Sequence, residues 1–201
     1  MTTSHTAPTL ASVPPANRVA TRPVRADGRR NYDALLQAAR KAFAARGTSA
    51  SLDEIASAAG VAIGTLYGHF PTRDALLEAA TRDELAGLLA LDVDAEPLTG
   101  LRTWVLHAVA FCSTYRGFVS TVAQGAHDEA SLWREGCHAM ETRGAELLAA
   151  AQRAGRVRRE VTPVELFDLV GAAAWLRENA GPDHDGSTRL VDYVLDGISR
   201  P

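Results

Sequence analysis

The chain has 201 residues, 46% of them apolar and 22% charged, with a formal net charge of −3. That usage excludes a disordered or fibrous protein and leaves room for a sizeable core, while the net charge argues against a general polyanion binder. The charge is unevenly placed: residues 1–80 carry nine Lys/Arg against six Asp/Glu, so a mildly basic front precedes an acidic body.

Residues 1–26 are rich in Thr, Ser, Ala and Pro, and Pro8, Pro14, Pro15 and Pro23 oppose any helix. A disordered basic arm is predicted there. It lacks the charged start and apolar stretch of a secretory signal, and no apolar run approaches the ~20 residues that span a bilayer. The expectation is a cytoplasmic protein with no membrane partner.

The stretch "ADGRRNYDALLQAARKAFAARG" places Tyr32, Leu35, Leu36, Ala39 and Phe43 at helical spacing, and Gly47 supplies a stop. In "SLDEIASAAG", Ser51 and Glu54 form a capping box before a short second helix that Gly60 ends. Ile63, Leu66 and Phe70 give a third apolar face closed by Pro71, and Thr72 caps a longer fourth helix starting at Arg73. Beyond residue 90 the apolar segments run over about 98–115, 118–124, 130–154, 163–179 and 188–198, with no alternating strand pattern. An all-α protein of about nine helices is expected, with a three-helix unit over residues 27–72 and a larger helical domain over 73–201.

The third helix is the unusual one. Gly64, Gly68 and β-branched Thr65 stand where Ala or Leu would serve a helix better, each Gly at a cost of about 1 kcal/mol. Two short helices joined by a tight turn and braced by a first helix form a helix-turn-helix, whose second member enters the DNA major groove. Small residues then serve close approach. Thr65 can offer a hydroxyl to a base edge or a methyl to thymine, and Tyr67 and His69 carry donors suited to phosphates. Arg73 opposes the macrodipole of its own helix unless an anion is bound there. The expected contacts to double-stranded operator DNA are Ile63, Gly64, Thr65, Tyr67, Gly68, His69 and Arg73. Thr48, Ser49 and Ser51 join them at the second helix, and Arg25 and Arg29 at the first.

The elements "ALLQAARKAFAARGTSASLDEIASAAGV" and "AIGTLYGHFPTRDALLEA", covering residues 34–80, resemble the DNA-binding region of the tetracycline-repressor (TetR) family of bacterial regulators. The resemblance implies that Thr65 and Tyr67 belong to the recognition helix, that Tyr67 and His69 touch the DNA backbone, and that Arg73 occupies the place of the family's usual phosphate-binding lysine. Ala62 stands where a capping Ser is frequent, and Gly68 where a larger residue is common. The resemblance also implies a homodimer and a small-molecule effector. The last two helices would form the dimer interface through Val164, Phe167, Val170, Ala174, Leu190 and Val194. On the middle helices, Trp104, His107, Phe111 and Tyr115 recur at helical spacing, as do Trp133, Cys137 and Met140, and these are the expected pocket residues.

Other chemistries have little support. Cys112 and Cys137 have neither disulfide-framework nor zinc spacing, and His107, His127 and His138 make no metal pattern. No nucleophile elbow or phosphate loop appears, so neither catalytic residues nor a cofactor is expected. The leading expectation is a repressor released by an effector, ahead of a regulator with no effector and, remotely, a small helical enzyme.

Overall fold

The computed structural model describes residues 20, 22–121, 133–179 and 186–199. Among these are eight helices: α1 Ala26–Arg46, α2 Leu52–Ala58, α3 Ile63–His69, α4 Arg73–Leu89, α5 Pro97–Cys112, α6 Trp133–Arg153, α7 Pro163–Asn179 and α8 Gly186–Ile198. A further helical turn spans 118–121. The only β-type pairing among the described residues is one antiparallel bridge, Val157 to Ser199, which ties the α6–α7 connection to the end of α8. The all-α expectation therefore holds. The arm expected over residues 1–26 lies mostly outside the described residues, as do the expected helix limits at 124 and 130.

Local chemistry sets the boundaries. Ser51 accepts a hydrogen bond from the Glu54 amide and Thr72 accepts one from the Ala75 amide, so the α2 and α4 starts follow the capping residues read in the sequence. At α7, Thr162 Oγ1 accepts from the Glu165 amide (3.3 Å) while the Glu165 carboxylate accepts from the Thr162 amide (2.8 Å), a reciprocal capping box. The bonds that the Thr162 amide and hydroxyl donate to the carboxylate hold the Glu165 carboxyl below the usual glutamate range.

Two apolar clusters organise these helices. The first joins Tyr32, Leu35, Ala39 and Phe43 of α1 to Ile55, Leu66, Phe70, Leu76 and Ala80, and also takes in Tyr115 and Phe118. The second fills the C-terminal body with Leu101, Trp104, Val105, Leu148, Leu166, Val170 and Val191. Helix α4 contributes its first half to one cluster and Leu88 to the other, and Phe111 packs against both.

Gly47, at the end of α1, lies directly against the turn at Arg116. Its φ of 77° and ψ of −175° fall in a region that is almost exclusively glycine's, and a Cβ there would lie 2.5 Å from the Arg116 carbonyl oxygen. Gly60 also has positive φ, at 71°, but faces open space. Gly47→Ala is therefore expected to lower unfolding stability by more than about 2 kcal/mol. Gly60→Ala should lower it by only about 1 kcal/mol, through left-handed strain alone. Urea unfolding of the two variants measures the difference.

Candidate nucleic-acid interface

Helix α3 is seven residues long, and its N-cap residue Ala62 offers no side-chain hydrogen bond. Two glycines and a missing cap together cost about 3 kcal/mol. Full burial of Leu66 and Phe70 offsets this, at about 1.5–3 kcal/mol for each side chain. Phe70 packs on Tyr32 of α1 with ring centroids 4.9 Å apart. The helix is thus fixed by its inward side chains, leaving its outward positions free of any packing duty.

Those outward positions are Gly64, Tyr67 and Gly68. Tyr67 is 50% exposed although it is a large aromatic side chain. Neither Gly64 nor Gly68 has any atom within 4 Å of where a Cβ would stand. Ile63 and Thr65 are half-buried on the flanks of this strip. His69 is also half-buried, set edge-on to Tyr32 with ring centroids 6.1 Å apart. The end of α3 therefore abuts the start of α1, where Arg25 and Arg29 are exposed and the Arg29 guanidinium donates to the Val24 carbonyl at 2.7 Å.

Ser49 is exposed at the entry to α2, and Ser51 is occupied as its cap. Thr48 is half-buried and faces the turn at Arg116. Its amide donates to the Arg116 carbonyl at 2.9 Å, and its hydroxyl lies 3.4 Å from that of Thr121. Arg73 is half-buried, and its Nη1 donates to the carbonyls of Thr48 (2.9 Å) and Ala50 (2.5 Å). The cation that opposes its own helix dipole thus has two backbone acceptors, a balance that spacing alone did not reveal. Its Nε and Nη2 hydrogens take no part in these bonds.

The middle helices also divide differently from their periodicity. Trp104 is fully buried, edge-on to Phe167 at 6.2 Å, and Met140 is buried with it. His107 is exposed and hydrogen-bonded to its own Thr103 carbonyl, so it does not share the Trp104 face. Tyr115 leaves the set too: it packs on Phe43 of α1 at 5.7 Å, and burial pushes its hydroxyl pKa up to about 12. Phe111 is half-buried against both clusters and Cys137 against the first, and the Trp133 side chain lies outside the described residues. Burial raises the thiols of Cys112 and Cys137 to about 12 and about 11, which leaves both as neutral, weakly reactive groups.

On the last two helices, Val170 and Ala174 are buried within the chain's own core, and Phe167, Leu190 and Val194 are half-buried. The exposed apolar side chains are Val164 (69%), Trp175 (56%) and Tyr193 (64%). Trp175 follows Val164 by eleven residues, three helical turns, and that spacing could have identified the outward stripe.

A short, glycine-lined helix turned outward, preceded by a second short helix and braced by α1 and α4, defines a helix-turn-helix DNA-binding protein. Residues 35–80 match the family described as bacterial regulatory proteins of the tetR family, and residues 96–200 match the C-terminal domain of SbtR-like transcriptional regulators. The chain belongs to the TetR family of transcriptional regulators. None of the curated proteins is similar to it at a significant level. Among solved structures it is similar to a TetR regulator, SCO0520, from Streptomyces coelicolor, at 31% identity, TM-score 0.57 and coverage of 84% of this chain and 98% of that one. A TetR regulatory protein from Mycobacterium vanbaalenii is 33% identical, with TM-score 0.54 and coverage of 89% and 100%. The ketosteroid regulator KstR2 of Mycobacterium tuberculosis shares the fold at 22% identity, TM-score 0.61 and coverage of 92% and 100%. No helix among the described residues is long and apolar enough to cross a membrane.

The open space beside both glycines separates stability from binding. Gly64→Ala and Gly68→Ala are each expected to stabilise the protein by up to about 1 kcal/mol, raising Tm by about 2–4 °C. Each should also weaken DNA binding, because the added methyl stands on the outward strip. Thermal melting and a gel-shift titration of the same samples check both signs.

Proposed function

We propose that this TetR-family regulator is a homodimeric repressor whose α3 helices enter the major grooves of two operator half-sites, and that a small molecule in the C-terminal body releases it. The observation that carries the reading is the division of α3: Leu66 is buried in the core while Gly64, Tyr67 and Gly68 face outward. In this reading Tyr67 and His69 bind the DNA backbone, Ser49, Arg25 and Arg29 flank the contact, and Arg73 joins the α1–α2 turn to a phosphate through its unused N–H groups.

The outward Val164, Trp175 and Tyr193 on α7 and α8 support a second copy packed there, with Phe167, Leu190 and Val194 at its border. Twofold symmetry would present two recognition helices to half-sites about 34–36 Å apart. The effector is placed near Trp104, Phe111, Cys137 and Met140. Trp104 Nε1 is buried with no hydrogen-bond partner among the described residues, and an acceptor atom on a ligand would satisfy it, a bond to a buried donor being worth about 1–3 kcal/mol. Release requires that the effector bind the DNA-incompetent arrangement more tightly than the competent one.

Operator affinity is expected to fall steeply with salt, and Arg73→Ala should lower the slope of log affinity against log salt by about one. Tyr67→Ala should weaken binding without changing the melting temperature. Fluorescence anisotropy across a salt series tests both, and an unaltered slope in Arg73→Ala would remove its phosphate contact.

Trp175→Glu is expected to convert the protein to a monomer and to lower operator affinity at least tenfold, since a charge buried in an apolar interface is strongly unfavourable. Sedimentation velocity and the same anisotropy assay report the two effects. A dimer that survives the substitution would place the interface elsewhere.

A further inference from the structure

The chemistry of α3 limits what it can read. Ile63–His69 contains no Arg, Lys, Asn, Gln, Asp or Glu, and neither do Val61 and Ala62 before it. Guanine is gripped in the major groove by Arg or Lys, adenine by Asn or Gln, and cytosine by a carboxylate. Those pairings are unavailable to this helix. The side chains that remain beside the outward strip are methyl-bearing: exposed Ala62 and half-buried Ile63 and Thr65. Gly64 and Gly68, four residues apart and both facing open space, form a floor with no side chain to hold the backbone away from the groove. Tyr67 and His69 do not supply the missing readout. Tyr67 projects from the strip as a single hydroxyl on a large ring, and His69 is held against Tyr32.

The base feature that an apolar contact can distinguish in the major groove is the C5-methyl of thymine. We propose that this regulator recognises its half-sites chiefly through thymine methyl groups packed against Ala62, Ile63 and the Thr65 methyl, over the floor formed by Gly64 and Gly68. The proposal rests on the reading that α3 enters the major groove and adds which DNA it selects. Thr65 is the specificity-determining residue: its Cγ2 supplies the apolar contact, and its hydroxyl can accept or donate to the neighbouring base edge. The half-sites bound best then carry thymine where α3 lies deepest, and discrimination there depends on a methyl group with no hydrogen-bonding capacity.

The test uses the full-length protein. Bound duplexes are selected from a random-sequence pool, and each thymine of the enriched half-site is then replaced singly by uracil, which deletes the C5-methyl and leaves pairing intact. Selected half-sites should contain thymine, and affinity should fall about fourfold for each contacted methyl, the ratio that one buried methylene supplies. Altering both half-sites should give about fifteenfold, if the two act independently. Thr65→Ser keeps the hydroxyl and removes the methyl, so it should lose the uracil effect at one position while melting and salt dependence stay as in the wild type. Uracil duplexes bound as tightly as thymine duplexes would overturn the proposal while leaving DNA binding established. Enriched half-sites that lack thymine would do the same. If no duplex is enriched and binding shows no salt dependence, both the proposal and the reading beneath it fail.

Discussion

The turn from Gly47 to Ser51, which joins α1 to the short helices α2 and α3, is gripped from two sides. From within the N-terminal unit, Arg73 donates to the carbonyls of Thr48 and Ala50 and so pins the start of α4 to the start of α2. From the C-terminal body, the Arg116 carbonyl accepts the Thr48 amide. Gly47 makes this approach possible, because any side chain there would meet that same carbonyl. The turn is thereby held both by α4 and by the turn at Arg116, and α2 and α3 follow from it.

That arrangement explains how α3 can be so poor a helix in isolation. Short helices in water are marginal even with good sequences, and this one has glycine at two of seven positions. Leu66 and Phe70 supply its order from the inward side, and α1 and α4, tied at the turn, supply the cavity that receives them. Outward positions were then free to be chosen for the surface they present. Natural proteins commonly give up local stability at such positions.

Much of this was legible in the residues. Ser51, Thr72, Gly47 and Gly60 marked helix ends because capping and positive φ are local requirements that a short window expresses in full. The inward Leu66 and Phe70, and hence the outward Tyr67, followed from periodicity. What escaped were choices settled by distant partners. Arg73 found acceptors 23 and 25 residues away. Thr48 was drawn to a turn near residue 116, and Tyr115 was drawn onto Phe43. His107 and Trp104 share a spacing that helical geometry allows to diverge by about 60°, enough to expose one and bury the other. Similarly, Val170 and Ala174 carry the same apolar signal as Trp175, and only the packing of α5 against α7 decides which of them faces inward.

The same packing connects the proposed dimer face to the Gly47–Ser51 turn through one carboxylate. Glu178, one turn beyond Trp175 on α7, accepts the amides of Gly117 (3.1 Å) and Val119 (3.4 Å). Those residues lie one and three positions after Arg116, whose carbonyl holds Thr48, whose own carbonyl holds Arg73. Each of these bonds is worth about 0.5–1.5 kcal/mol net, somewhat more where a charge takes part. Loss of two or three of them in one conformation is of the size that typical coupling between sites requires, about 1–3 kcal/mol. A rearrangement of α7 that broke the Glu178 contacts would loosen residues 116–119 and, with them, the outer support of the turn. The inner support from Arg73 would remain, so α3 would stay folded while its orientation lost one of its two constraints. Coupling built in this way alters where the recognition helix points without unfolding it, and it needs no continuous path of motion through the apolar core.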